Sequence, residues 1–325
     1  MLHAESTPPH SPTKPAKRSI NGVLLLDKPY GISSNKAVQI VKRVFSAAKC
    51  GHTGTLDPMA TGLLPLCLGE ATKFSSVLLG ADKAYEATLR LGFLSSTGDA
   101  EGEITQLATH AGNPTLSQCE QVLQHFIGKI MQVPPMYSAL KHQGKPLYVY
   151  ARNGKTIERP AREIVIHAIQ IKSLSDNELQ LSIHCGTGTY IRTLAEDIGS
   201  ALGCGGAYLT QLRRTAINLF DLSQAQALSA LEAMNADDQN ACLLPIDCLL
   251  EEFPAIVLDE LAALHILQGQ IVFGQSDISN MPEGNTVRLY DHQQQFLGLG
   301  EITTEQKIAA KRMLASSQLH KAIEL

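Results

Sequence analysis

The sequence lacks most of the features that mark membrane-spanning, secreted or thiolate-metal proteins. No apolar run approaches the roughly 20 residues that a transmembrane helix needs. The N-terminus, with His3, Glu5 and several prolines, has no apolar signal core. The seven cysteines form no C-x-x-C pair, which is typical of free thiols in a reducing compartment. We therefore expect a cytoplasmic protein with no membrane segment, no disulfide framework and no metal site.

Neither sign of charge dominates the chain, but the charges are strongly segregated. The formal net charge is −4. Residues 1–50 nevertheless carry +6, residues 125–170 carry +5, and residues 219–260 carry −9 with no Lys or Arg. We expect the basic segments to face a phosphate backbone and the acidic segment to face away from it. The alternative is that these runs are solvated surface, which is the usual role of charge runs.

Two kinds of apolar periodicity predict the secondary structure of the first 250 residues. A short apolar run predicts a buried strand at 23–26. Alternation predicts strands at 85–92, 163–174 and 178–184, the last two as antiparallel neighbours. A helical period predicts helices after Ser33 or Ser34, at 115–126 and at 193–202. In the second helix, the residues expected to face inward are Leu116, Val122, Leu123 and Phe126.

The order of these elements predicts the fold class and the domains. Strands come in runs without regular βαβ alternation, which favours an α+β fold with a large, mostly antiparallel sheet flanked by helices and loops. Residues 1–18, rich in Pro, Ser and Lys, are predicted to be a disordered basic tail. We place the main domain at 19–252. A small β-rich module follows at 253–325, with a helix at 258–267 and strands at 286–290, 296–302 and 307–314.

The densest candidate for chemistry is the segment 51–62, where three glycines and several small residues surround the carboxylate of Asp57. Glycines let a ligand approach the backbone closely. The segment is not a P-loop, because Gly62 precedes two leucines instead of Lys and Ser or Thr. No H-x-E or C-x-x-C pattern indicates a zinc deaminase. A carboxylate nucleophile without metal or cofactor remains, alongside the alternative that Asp57 caps a helix that starts with Pro58.

A second dense segment, Cys185-Gly-Thr-Gly-Thr-Tyr-Ile-Arg-Thr-Leu194, supplies a cationic side chain. A nucleophilic carboxylate must stay ionised under its substrate, and a nearby Arg lowers its pKa. If the segment is extended, Tyr190 and Arg192 point the same way, because they are two residues apart. The alternative is that Arg192 belongs to an ordinary surface ion pair.

Five segments, in this order, closely resemble the TruB type of tRNA pseudouridine-55 synthases. They are His52-Thr-Gly-Thr-Leu-Asp57-Pro-Met-Ala-Thr-Gly, Asp82-Lys-Ala-Tyr85, Tyr137-Ser-Ala-Leu-Lys141, Gly188-Thr-Tyr190-Ile-Arg192-Thr, and Tyr208 to Arg214. The resemblance covers almost everything after residue 20 and is weaker for the PUA-like C-terminal module. It implies a pseudouridine synthase fold and an isomerase that converts the T-loop uridine at tRNA position 55 to pseudouridine.

The resemblance also implies a role for each matching residue. Asp57 corresponds to the carboxylate that attacks the target nucleotide, at the ribose anomeric carbon or at the base. Tyr85 corresponds to the tyrosine that stacks on the base and helps remove its C5 proton; by sequence alone it is an ordinary strand aromatic. Arg192 pairs with the nucleophile, and Leu212 packs against the base. A further set is expected to contact RNA or to support the catalytic loop: His52, Lys28 and Tyr190.

The implied substrate sets the expected partners. The uridine is flipped out of its stack, while the T arm is gripped by a basic flap at about 125–170, for which we expect Lys141, Lys145 and Arg152 to matter. We expect tRNA as the partner, a monomer, no cofactor and no guide RNA. Two rivals stay open: a guide-dependent pseudouridine synthase, and an RNA chaperone that binds and unfolds tRNA with or without chemistry.

Overall fold

The computed structural model describes residues 17–107, 113–274, 278 and 281–315. The strands of the main domain are β1 (Gly22–Lys28), β2 (Cys50–His52), β3 (Thr61–Leu68), β4 (Lys83–Leu91), β5 (Phe93–Ser95), β6 (Ile104–Gln106), β7 (Gly128–Gln132), β8 (Lys141–His142), β9 (Lys145–Pro146), β10 (Arg162–Ser175), β11 (Glu178–Cys185), β12 (Ala207–Ile217), β13 (Phe220–Asp221) and β14 (Gln226–Ala227). Its helices are α1 (Ser34–Val44), α2 (Leu116–Gln124), α3 (Leu147–Arg152), α4 (Ile191–Ala201), α5 (Leu228–Ala233) and α6 (Ala236–Ala241).

Ten of these strands form one large mixed sheet. Its central order is β14-β1-β3-β12-β4-β11-β10-β7, with β2 beside β3 and β13 beside β12. Only the pairs β1–β14 and β3–β12 are parallel. The predicted neighbours β10 and β11 are indeed antiparallel. The expected α+β fold with a mostly antiparallel sheet is therefore confirmed.

Helices cover one face of this sheet because their apolar stripes match its apolar face. Helix α1 begins at the N-cap Ser33, whose side chain accepts a hydrogen bond from the Lys36 amide. Buried side chains of α1, α2, α4 and α5 join strand residues in the largest apolar cluster. One prediction is wrong here: Leu116, expected to face inward, is 50% exposed, because it is the first residue of α2 and precedes the packed turn.

The C-terminal module consists of β15 (Ala255–Val257), α7 (Glu260–Leu267), β16 (Val272–Phe273), β17 (Thr286–Tyr290), β18 (Phe296–Ile302) and β19 (Lys307–Met313). Its strands form a separate five-stranded sheet in the order β15-β17-β18-β19-β16. The predicted helix and the three predicted strands are all present. Within the described residues, no helix is long and apolar enough to cross a membrane.

Two of the predicted segments are only partly described. The predicted tail lies outside the described residues except for residues 17 and 18, and Arg18 forms a parallel bridge with Ala47. In the predicted flap, β7 and β10 belong to the edge of the main sheet. The chain between them carries the β8–β9 hairpin and α3. We call residues 137–152, which contain that hairpin and helix, the basic hairpin.

Candidate active site

Asp57 lies in a loop between β2 and β3 that is fixed from two sides. The Ser34 hydroxyl, at the start of α1, accepts from the Leu56 amide at 2.7 Å and donates to the Leu56 carbonyl at 2.9 Å. The Gly31 amide donates to the Pro58 carbonyl at 2.9 Å. No helix begins at Pro58; the chain turns and enters β3 at Thr61. The helix-cap alternative for Asp57 is therefore excluded. The Asp57 side chain is 35% exposed, and we call the solvent-accessible space beside its carboxylate the cleft.

Arg192, the second residue of α4, contacts Asp57. Its Nε lies 3.0 Å from the Asp57 Oδ2. Its two terminal nitrogens donate to the Thr97 carbonyl at 2.8 Å and to the Tyr137 carbonyl at 2.6 Å. The side chain is only 6% exposed, so the guanidinium is fixed by its acceptors and is not part of an ordinary surface ion pair.

The geometry of this segment differs from the expectation. Tyr190 has extended backbone and is the N-cap of α4, whereas Arg192 lies in the first turn of that helix. The argument that an extended segment points both side chains the same way was therefore wrong. The strand-to-helix transition itself was expected, and it places Arg192 at the buried start of α4.

A second carboxylate, Asp99, was not predicted. It is 2% exposed, and its Oδ2 lies 3.8 Å from the Arg192 Nε. Its Oδ1 accepts from the Thr97 hydroxyl at 2.6 Å and from the Glu101 amide at 3.1 Å. Two carboxylates therefore share one guanidinium. The only signal in the sequence was an acid flanked by glycines at 98 and 102.

The electrostatics of Asp57 result from opposing effects. Burial and the neighbouring Asp99 raise the pKa of its carboxyl group, whereas Arg192 and Lys28 lower that pKa, and the net direction is upward. About a third of the side chain, 35%, is still open to solvent. A substrate that covers the open side removes the remaining water.

Lys28 is fully buried beneath the loop. Its Nζ donates to the carbonyls of Ile32 at 2.6 Å, Pro29 at 3.0 Å and Pro58 at 3.4 Å. Burial lowers the pKa of this ammonium to about 8, although Asp57 and Glu101 oppose the shift. Lys28 is thus both a tether for the loop and a cation near Asp57.

Tyr85 projects from β4 toward a buried arginine that sequence analysis also missed. Tyr85 is 7% exposed and Arg214 is 1% exposed, and the two residues are paired across β4 and β12. Burial raises the pKa of the Tyr85 phenol, while Arg214 and a hydrogen bond to it act in the opposite direction. Arg214 also donates to the carbonyls of Leu63 at 2.7 Å and Gly54 at 3.3 Å. It therefore connects Tyr85 to the loop that carries Asp57.

Leu212 and His52 lie close to this pair. Leu212 faces Ala87 on the same two strands, two residues before Arg214, and is 8% exposed. His52 ends β2, and its Nδ1 accepts weakly from the Gly54 amide at 3.4 Å. Burial, with help from Arg214, lowers the pKa of His52, so the neutral imidazole is favoured.

Tyr190 borders the same cleft. Its amide donates to the Gln132 side chain at 2.8 Å, and that side chain donates back to the Tyr190 carbonyl at 3.1 Å. Burial raises the pKa of its phenol, while the nearby Arg192 guanidinium lowers that pKa. Through Gln132, Tyr190 therefore connects the start of α4 to β7.

The predicted RNA-contacting cations are exposed but outside the cleft. Lys141 is in β8, Lys145 in β9 and Arg152 at the end of α3. All three are exposed, and Arg152 lies over the Tyr148 ring at 5.4 Å. Within the described part of the chain, none of the three forms an ion pair. They contribute no contact to Asp57, but the Tyr137 carbonyl joins their segment to Arg192.

Comparison with known protein families gives a consistent result along the chain. The model described as "TruB family pseudouridylate synthase (N terminal domain)" matches residues 42–191. Residues 192–251 match "tRNA pseudouridylate synthase B C-terminal domain", and residues 254–314 match "Pseudouridine synthase II TruB, C-terminal".

Curated relatives and solved structures agree with the family models. A Nitrosospira multiformis protein named "tRNA pseudouridine synthase B" is 58% identical over 307 residues, covering 93% of this chain and 98% of its own. A Nitrosomonas europaea protein of the same name is 54% identical, covering 92% and 96%. The structure "Crystal Structure of a Cbf5-Nop10-Gar1 Complex" matches with a TM-score of 0.68 and 26% identity, over 90% of this chain and 84% of that one.

The sheet, the acidic loop and the paired arginine, together with these matches, define a pseudouridine synthase. The expected fold and enzyme class are confirmed. Within that class, the chain belongs to the TruB family.

Proposed function

We propose that this protein converts the T-loop uridine at tRNA position 55 to pseudouridine, with Asp57 as the nucleophile. The observation that carries the proposal is the 3.0 Å contact between the Asp57 carboxylate and the buried Arg192 guanidinium at the mouth of a cleft. The substrate class is supported by the relatives at 58% and 54% identity, both named tRNA pseudouridine synthase B.

The proposed reaction uses a carboxylate nucleophile and no cofactor. The bond between the ribose C1′ and the uracil N1 breaks, the uracil turns, and C1′ joins C5. The C5 proton leaves, and N1, which carries no proton in uridine, gains one. Between the breaking of the first bond and the formation of the second, the Asp57 carboxylate is bonded covalently to the nucleotide, either at the anomeric carbon or at the base. Desolvation by the substrate favours the neutral acid, and Arg192 and Lys28 oppose that effect by lowering the pKa of Asp57.

Tyr85 and Leu212 are the residues proposed to contact the flipped base. Extrusion of a uridine from its loop costs a few kcal/mol of stacking. Stacking on the Tyr85 ring and contact with the apolar Leu212 side chain offset that cost, and Tyr85 helps to remove the C5 proton. His52, which favours its neutral form, is assigned to the T loop beside the flipped nucleotide, and Tyr190 is assigned to RNA contact.

The RNA is held mainly by its backbone in this proposal. Lys141, Lys145 and Arg152 lie on the basic hairpin and contact phosphates of the T arm, since A-form RNA hides its base edges in a deep groove. We propose that the enzyme acts as a monomer without guide RNA. Its location is proposed to be the cytoplasm, in keeping with seven unpaired cysteines.

The test uses purified protein and an unmodified tRNA transcript with tritium at uracil C5. The proposal expects tritium release without any guide RNA, and no release from a transcript in which the uridine at position 55 is replaced by cytidine. Tight binding without release would identify a chaperone, and release only with added guide RNA would identify a guide-dependent enzyme. Undiminished release from the position-55 variant would contradict the assigned target.

A further inference from the structure

Three metal-ligand side chains meet on the solvent face of the main sheet. They are Asp82, in the turn that leads into β4, His167 on β10 and His184 on β11. The His167 Nε2 lies 3.0 Å from the Asp82 Oδ2. The two imidazole rings have centroids 4.7 Å apart. One ligand atom from each residue lies within 4.8 Å of the other two.

An irregularity in β10 sets the position of His167 relative to His184. In the β10–β11 register, Ile166 faces Cys185 and Ala168 faces His184, so His167 is the extra residue of a β-bulge. Bulges re-aim side chains, and they are frequent beside functional sites. In a regular register His167 would face His184 directly; at the bulge Ala168 takes that pairing, and the His167 Nε2 lies 3.0 Å from the Asp82 Oδ2.

This cluster lies on the face opposite the catalytic cleft. His184 is exposed between Ile183 and Cys185, which are both buried. Tyr85 pairs with Ile183, whereas Ala84 pairs with His184. Because side chains alternate along a strand, the Tyr85 ring and the His184 ring leave the sheet on opposite sides. The cluster is therefore separate from the Asp57 site.

The surroundings leave room for an ion. Asp82 and His167 have side-chain exposures of 48% and 37%. Within the described residues, Asp82 forms no ion pair with Lys or Arg. A Cβ at Gly186 would lie 3.7 Å from the Asp82 Oδ1, so the glycine keeps the side of the carboxylate open.

We propose that Asp82, His167 and His184 form an open three-ligand site for a divalent transition-metal ion, with Zn²⁺ as the best match. Two imidazoles and one carboxylate are donors that suit Zn²⁺ and its neighbours, and hard ions such as Mg²⁺ prefer oxygen alone. Zn²⁺ takes four ligands at about 2.0–2.1 Å, which leaves one position for water or an anionic oxygen.

The fit needs only small side-chain movements. In a tetrahedral site with these bond lengths, ligand atoms lie about 3.3 Å apart. The His167–Asp82 pair is already closer than that, and rotation of the exposed His184 ring closes the remaining gap. A bound ion would join the turn before β4 to β10 and β11, and so would stabilise the fold without entering the reaction at Asp57.

The test is a titration of tag-free, chelator-treated full-length protein with Co²⁺, whose visible absorption reports nitrogen and oxygen coordination. The proposal expects one Co²⁺ per chain, displaced by Zn²⁺. It expects affinity to fall at least 10-fold in His167→Gln and in His184→Gln. The matched control is His292→Gln, an exposed histidine in the β17–β18 turn, which should bind as the wild type does.

A second measurement detects Zn²⁺ binding even if the Co²⁺ complex absorbs too weakly to be measured. The thermal midpoint of wild-type protein should rise with Zn²⁺, and that of the His167→Gln variant should not. Wild-type protein that neither binds Co²⁺ nor gains thermal stability with Zn²⁺ would overturn the proposal. Equal binding by the wild type and both cluster variants would overturn it too, because the ion would then sit elsewhere.

Discussion

At the scale of single residues, Arg192 is the side chain that joins the two carboxylates of the candidate site. Its guanidinium is held by two carbonyls and two carboxylates, and a buried charge with such partners costs little to reorganise during a reaction. Asp57 is one of those carboxylates, and Asp99 competes with it for the same cation. The charge state of Asp57 therefore depends on neighbours that can be changed one at a time.

The first prediction uses two neighbours of opposite effect. Lys28 lowers the pKa of Asp57, and Asp99 raises it. Because the proposed nucleophile must be ionised, we expect activity to be lost as pH falls through that pKa. Lys28→Met should move the acid limb of kcat/KM to higher pH, and Asp99→Asn should move it to lower pH, each with a reduced maximal rate.

The measurement is a pH profile of tritium release, with Glu178→Gln as the control. Glu178 pairs with Arg90 at the sheet surface, and its loss should leave the profile unchanged. Acid limbs that move in the same direction in both variants would show that Asp57 does not set the limb.

Some of these residues are recognisable in the sequence and others are not, and the difference has a physical reason. Asp57 and Arg192 stand in glycine-rich segments whose composition marks them locally. Arg214 and Asp99 gain their importance from partners far along the chain, such as Gly54 for Arg214 and Arg192 for Asp99. The spacing of residues within one segment of the sequence does not reveal such long-range contacts.

At the scale of elements, the junction of β3 and β12 holds the catalytic loop in place. Gly62 has a φ of +99°, and a Cβ there would lie 2.3 Å from the Arg214 carbonyl oxygen. Gly144, in the basic hairpin, has a φ of +80° with no atom within 4 Å of such a Cβ. Both positions impose strain on a larger residue, but only Gly62 adds a clash with backbone.

The second prediction follows from that contrast. Gly144→Ala should lower the free energy of unfolding by about 1–2 kcal/mol, the cost of left-handed backbone for an L-residue. Gly62→Ala should cost clearly more than that and should also reduce tritium release, because Arg214 and the loop must shift. Urea unfolding followed by circular dichroism measures both. Equal losses in the two variants would mean that backbone strain alone accounts for Gly62.

The third prediction concerns the basic hairpin. Replacing Lys141, Lys145 and Arg152 by Gln should weaken tRNA binding and flatten its salt dependence by as much as about 2–3 in the logarithmic slope, since each phosphate contact contributes about 0.7–0.9. The control, Lys172→Gln, removes a cation already paired with Glu86 on the solvent face of the sheet. Fluorescence titrations at several salt concentrations give the slopes. An unchanged slope in the triple variant would remove the hairpin from the interface.

Elements with clean alternation were predicted from sequence, and irregular ones were not. Strands β10 and β11 alternate well enough to be recognised. Strand β12 was missed because polar residues are adjacent in its sequence, at Thr210-Gln211 and at Arg213-Arg214, and interrupt its apolar alternation. Strand β3 was missed because it is buried throughout and contains Pro65, a residue that usually argues against a central strand.

At the scale of the whole molecule, the two sheets share a core. Leu299, in β18 of the C-terminal module, belongs to the same buried cluster as Phe74 and Leu250 of the main domain. Polar contacts cross the same junction, such as the Tyr290 hydroxyl to the Asp247 carboxylate at 2.8 Å. The boundary near Pro254 follows from composition, but composition does not reveal that the module packs on a shared core.

The fourth prediction is that the chain unfolds in one transition, because loss of the module would expose the shared cluster. Circular dichroism and binding of a hydrophobic dye should report the same midpoint in urea. Leu299→Ala should lower that midpoint for both probes together, by about 2–5 kcal/mol in stability. Two separate transitions would show that the module is thermodynamically independent.

The most direct test of the whole account is the Asp57→Asn variant, which keeps the size of the side chain and removes its negative charge. Single-turnover tritium release and tRNA affinity should be measured on the same preparation. The account predicts no detectable release and an affinity within a few-fold of the wild type. Release at a measurable fraction of the wild-type rate would contradict the assignment of Asp57 as the nucleophile.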